Sequence, residues 1–130
     1  MTKNEIFNYI ATNLSSSYYV TAVYEPTPKQ CPCVMVRQIG KMRPVENITL
    51  NYQDTQHRLT YEVQVISTKK NKAQSEAYKI INEVETLFNN LYFIEDMCEP
   101  IEEEASRYRI VARFHRQLGG GESVPTNSSL

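Results

Sequence analysis

A chain of 130 residues with 14 Lys and Arg against 15 Asp and Glu carries a formal net charge of -1. That balance excludes a global electrostatic drive toward nucleic acid or an anionic membrane. With 41% hydrophobic and 22% charged residues the composition is that of a globular protein with its own core. No run approaches the roughly 18 apolar residues of a membrane span. The opening MTKNEIFNYIATNL lacks the basic start and apolar stretch of a signal peptide. Three cysteines, an odd number, beside no export signal point to reduced thiols in a cytoplasm. Nine Tyr, four Phe and no Trp favour strands half covered by another subunit, because tyrosine joins apolar area to a hydroxyl that needs a partner.

Residues 2–14 read as a short amphipathic helix: Thr2 is the N-cap, Glu5 completes a capping box, and Ile6, Tyr9, Ile10 and Leu14 form the apolar stripe. A strand around Tyr18 to Tyr24 follows, then a turn broken by Pro26 and Pro28. CVMVRQI (33–39) is apolar enough on both faces to be a central strand, and Gly40 and Pro44 bracket a turn after it. ENITLNYQ (46–53) predicts a third strand. HRLTYEVQVIS predicts a fourth, with Leu59, Tyr61, Val63 and Val65 inward and Arg58, Thr60, Glu62 and Gln64 outward. The longest helix then begins at Asn71 as cap, with Ala77, Ile80, Ile81, Val84, Leu87, Phe88 and Leu91 on one face. A broken strand, YFIEDMCEPI, and a closing strand, RYRIVARFHRQ (107–117), complete a domain over 1–117. GGGESVPTNSSL lies in a flexible tail over 118–130. The class is α+β: a mostly antiparallel sheet with two helices packed on one face.

The closing strand puts Tyr108, Ile110, Ala112 and Phe114 on one face and Arg107, Arg109, Val111, Arg113 and His115 on the other. Upstream, EDMCEPIEEE is acidic throughout its charged positions, so a hairpin turning near Glu104 sets Glu99 opposite Arg109 and Glu95 opposite Arg113. Such cross-strand pairs contribute about 0.2–1 kcal/mol each. The basic stripe is then neutralised within the hairpin. Nucleic-acid readout would want aromatic platforms on the basic face, and Tyr108 and Phe114 point the other way.

Cys31 and Cys33, with Cys98, His57 and His115, invite a metal reading, but one intervening residue is not the spacing of a zinc loop, and packing is the simpler role. No nucleophile elbow, phosphate loop or metal-ligand helix occurs, and Gly119 to Gly121 precede no helix. The expectation is a protein that is not an enzyme and takes no cofactor or metal.

Several segments in order carry a resemblance: CPCVMVRQI, then RLTYEVQVISTKKNKAQSEAYKIINEVETLFNNLYFI, then EPIEEEASRYRIVARF. They are similar to the tail terminator (tail completion, or minor capsid) proteins of long-tailed bacteriophages, over roughly residues 5–117. The matching elements are Pro32-Cys33-Val34, Val63 to Ser67, Ala73 to Leu91, Phe93, and Tyr108-Arg109 through Arg113-Phe114. Cys31, where the family carries a large apolar residue, and the glycine-serine tail depart from the pattern. The resemblance implies a ring, commonly hexameric, that caps the head-proximal end of the tail tube, stops its polymerisation and meets the neck, with DNA passing through the lumen without specific binding. Its partners would be other copies of itself, the tail tube protein and a neck or head-completion protein, in the virion and, during assembly, the host cytoplasm. On this reading an arm over about 40–56 reaches the next subunit, with Ile48, Leu50 and Tyr52 as anchors. A head-completion or neck connector of the same virion, and a small α+β enzyme or regulator, are the alternative classes.

Overall fold

The computed structural model describes residues 2–42, 57–69, 71–103 and 107–118. The expected strand over 46–53, with Ile48, Leu50 and Tyr52, and the tail after residue 118 lie outside the described residues.

Helix α1 (Lys3–Asn13) starts on the predicted capping box. The Thr2 hydroxyl accepts the Glu5 backbone N–H at 3.2 Å, and the Glu5 carboxylate accepts the Thr2 N–H at 3.4 Å. The stripe Ile6, Tyr9, Ile10 and Leu14 is buried. Strand β1 (Tyr19–Thr21) is shorter than predicted and runs parallel to β2 (Cys33–Met42), with Tyr19 opposite Cys33. Antiparallel neighbours were the expectation. Segment 22–32 is long enough to cross the sheet rather than turn back, and parallel strands require such a crossover. Strand β2 also runs through Gly40, where a turn was expected; its ladder with β3 (His57–Ser67) instead slips between Gln38 and Gly40, a bulge inside a continuous strand.

Helix α2 (Ala73–Asn90) is capped at Lys72 without a side-chain bond. Asn71, the predicted cap, sits one residue earlier with φ 60. Asparagine tolerates this left-handed backbone better than most residues, and it closes the turn that precedes the helix. At the other end the Tyr92 N–H donates to the Asn89 carbonyl and the Phe93 N–H to the Phe88 carbonyl, at 2.9 and 3.0 Å. This is the paired Schellman closure, and its usual apolar contact is present, with the Phe93 and Phe88 rings 5.2 Å apart. The residue in the left-handed position, φ 63, is not glycine but Tyr92.

Strands β4 (Ile94–Glu103) and β5 (Tyr108–Leu118) complete one sheet in the order β1-β2-β3-β5-β4. Apart from β1, every pairing is antiparallel. Both helices pack on one face, against Val34, Val36, Tyr61, Val63, Val65, Ile110, Ala112 and Phe114, so the α+β reading holds. Phe88 is the centre of this core. Its ring stacks on Phe114 at 4.6 Å and meets Tyr61 at 5.6 Å. The buried Tyr61 hydroxyl donates to Gln38 Oε1 at 3.3 Å, and burial pushes its phenol up to about 12.

Phe88→Ala removes the ring that three others touch, in a site with no exposure. We expect a loss of about 3–5 kcal/mol in urea unfolding. A loss below about 1 kcal/mol, the range of an exposed position, would contradict this packing.

Candidate functional site

Strand alternation sends Arg37 of β2, Glu62 and Gln64 of β3, and Arg109, Val111 and Arg113 of β5 to the face that the helices leave uncovered. Glu62 is the hub. It is 6% exposed, accepts Arg37 Nη2 at 2.7 Å and Arg113 Nη2 at 3.0 Å, and takes a third bond from Gln64 Nε2 at 3.0 Å. Burial alone would raise its carboxyl, but the hydrogen bonds from Arg37, Gln64 and Arg113 outweigh it and hold Glu62 below the usual carboxylate range. One anion thus ties three adjacent strands.

Arg109, buried, donates to Gln64 Oε1 at 2.9 Å and to the Pro26 carbonyl at 2.8 Å, and lies 3.4 Å from Glu102. Arg107 reaches the same carbonyl at 2.9 Å and Glu102 at 3.3 Å. The segment after β1 is thereby fastened over one end of the charged face. Beneath it Cys33, Met35 and Ile66 form a small second core with Tyr19 and Cys31. Further along, Asp96 meets His115 Nδ1 at 2.6 Å and Arg58 at 3.6 Å.

The expected pairs of the last hairpin are therefore corrected. Glu99 stands opposite Val111, not Arg109, and Glu95 stands opposite Phe114, not Arg113. The register slips between Glu95 and Met97 and again between Pro100 and Glu102, and each slip moves the acidic residues relative to the arginines. Arg109 and Arg113 do have partners within the chain, but these are Glu102 and Gln64 for one and Glu62 for the other. Sequence reasoning passed over Glu62 and Gln64. Their signal was two long polar residues on the outward face of a central strand, beside a strand rich in arginine.

Glu95 instead points to the helical side, beside Glu85 of α2. Burial first, then the hydrogen bond and charge of Glu85, push its carboxyl up to about 7. Its Oε2 is buried without a protein donor, a setting that favours the protonated carboxyl. Cys98 packs against the main core, whereas Cys31 and Cys33 lie on the opposite face, so the thiols do not converge. Burial pushes the Cys33 thiol up to about 12. Two cavities, of about 490 and 450 Å³, flank the start of α2. The second is lined by Lys69, Lys72 and Lys79 together with Glu76 and Glu83. Those carboxylates are already engaged, Glu76 by the Ser67 hydroxyl at 2.6 Å and Glu83 by the Tyr18 hydroxyl at 3.1 Å. No described helix is long and apolar enough to cross a membrane.

No family model matches the chain, and no curated protein matches it. Among solved structures it is similar to the sheath/tube terminator of an extracellular contractile injection system (PVC) in its extended state, at 10% identity and a TM-score of 0.49. That match covers 98% of this chain and 61% of the other, so the chain spans less than two thirds of that protein's length.

Two substitutions separate the two carboxylates. Glu62→Gln leaves Arg37 and Arg113 without an anion, but both are partly exposed and can hydrate. The expected loss is about 1–3 kcal/mol near neutral pH. Because the folded-state pKa of Glu62 is lowered, its contribution is full above its ordinary value near 4.5 and is lost as pH falls through the lowered value. No difference in urea midpoint between wild type and Glu62→Gln would contradict the hub.

Glu95 has the opposite sign. Its raised pKa makes its contribution full below its ordinary value of 4.5 and lost as pH rises through about 7. Melting temperatures at about pH 5 and about pH 8 should fall more for wild type than for Glu95→Gln across this window. Parallel changes in the two proteins would show that the Glu95 carboxyl is not raised.

Proposed function

We propose that this chain is a non-catalytic structural subunit of a phage tail that forms a ring, hexameric by the resemblance, capping the head-proximal end of the tail tube. In this role it stops tube polymerisation and joins the tail to the neck. Support comes first from the ordered segments that resemble tail terminator proteins, from Pro32-Cys33-Val34 to Tyr108-Arg109 through Arg113-Phe114. The structural observation that carries the reading is the engaged state of the charged face. Arg37 and Arg113 are held by Glu62, and Arg109 by Gln64, Glu102 and the Pro26 carbonyl. Each of these arginines is already engaged by partners of its own chain, which suits a protein that surrounds a moving polyanion without gripping it. Free arginines would add affinity for each phosphate they neutralise. The arm over 40–56 overlaps β2 at its first residues, and its proposed anchors Ile48, Leu50 and Tyr52 lie outside the described residues.

A phage lacking this protein should produce tails of uncontrolled length, or tails that never join heads, in electron micrographs of infected-cell lysates. Tails of normal length that stay unjoined would favour the neck connector reading. Normal tails on normal heads would contradict both.

A further inference from the structure

Six large apolar side chains are exposed among the described residues: Val23, Tyr24, Ile39, Tyr92, Ile94 and Ile101. They are not scattered. Val23 and Tyr24 lie just beyond β1 and Ile39 lies on β2, whereas Tyr92 precedes β4 and Ile94 and Ile101 lie on it. In the order β1-β2-β3-β5-β4 these are the two opposite edges of one sheet. Isolated exposed apolar residues are ordinary, but segregation to two edges is what head-to-tail association of identical copies requires.

The edges also differ in charge. β4 carries Glu95, Asp96, Glu99, Glu102 and Glu103 and no basic residue. Of these, Glu99 is exposed and has no ion pair among the described residues, while Glu102 and Asp96 face arginines of their own chain. At the other edge β1 stops at Thr21, and from Val36 onward the outer side of β2 has no strand partner among the described residues. Beside it a cavity of about 180 Å³ opens between α1 and β2. Phe7, Val36 and Tyr61 give it apolar walls, and among the described residues Lys3 and Arg37 are its charged lining, with no carboxylate.

We propose that copies of this chain associate head to tail, with the acidic β4 edge of one copy seated on the β1–β2 edge of the next. This rests on the ring reading and names the surfaces that would build the ring. Ile101 supplies an apolar anchor for the cavity, and Glu99 comes to Lys3. Two register slips and Pro100, which lacks an N–H, interrupt the β4 hydrogen-bonding edge. Side chains therefore carry the contact, and the edge is protected against pairing with arbitrary strands.

Tyr92 gives an independent sign. It occupies the left-handed position of the α2 closure, φ 63, where glycine is the unstrained residue, and it is 62% exposed, so burial within the chain does not account for it. Its ring is held under Arg116, whose guanidinium carbon lies 5.5 Å from the centroid, as Tyr24 is held under Arg37 at 5.1 Å on the other edge. Pre-ordered exposed tyrosines are the usual anchors of protein interfaces.

Sedimentation velocity over a concentration series tests the assignment, with circular dichroism confirming the fold of each variant. Wild type should self-associate, and Ile101→Asp and Ile39→Asp should each be monomeric. Mixed in equal amounts, the two variants retain one intact contact between them and should stop at a dimer. Tyr92→Gly should melt at a higher temperature than wild type yet associate more weakly. Variants that keep the wild-type distribution overturn the edge assignment and leave the ring reading standing, as does a mixture that stays monomeric. A Tyr92→Gly protein that melts higher but associates as wild type removes Tyr92 from the contact and counts against the β4 edge. A wild type that is monomeric throughout contradicts the ring itself.

Discussion

The helices cover one face of the sheet, and this asymmetry governs the rest of the structure. On the covered face the problem is solved by packing, with Phe88 at the centre of three other aromatic rings. On the other face the central strands β3 and β5 still bury side chains, but little apolar cover is available beyond segment 22–32. Glu62 resolves this by turning a buried charge into a cross-link among β2, β3 and β5. A buried ion pair gives little net stability over an apolar substitute, because desolvation offsets the attraction. What it does give is register: only one alignment of the three strands brings Arg37 and Arg113 to the same carboxylate.

Much of this was legible in the sequence. The capping box at Thr2 and Glu5, the strand alternation of 57–67 and 108–118, and the apolar face of 73–90 are local patterns, and local geometry follows from them directly. The failures share a cause. The pairing of β4 with β5 depends on where the chain bulges, and neither slip, at Asp96 nor at Ile101, leaves a mark in alternation that one residue could not mimic. Glu95 accordingly moved from the arginine face to Glu85. The parallel placement of β1 was likewise hidden, since it depends on segment 22–32 reaching across the sheet to Arg107 and Arg109.

The candidate site was only half visible for a related reason. Arginines at alternate positions announced a basic stripe, but their partners come from β3, from beyond the second slip of β4 and from a backbone carbonyl. A carbonyl has no sequence signature at all. The answer to the stripe is therefore structural: Arg109 and Arg113 are held by their own chain, on a polar and crowded face. Such a face supports the proposed assembly role, and so does the strain kept at Tyr92, since a monomer alone would be better served by glycine there.

Electron microscopy of the purified protein mixed with tail tubes tests this account most directly. It predicts ring-shaped density on one end of each tube, with the tubes no longer extending once capped. Tubes that keep growing with both ends bare, in the presence of excess protein, would contradict it.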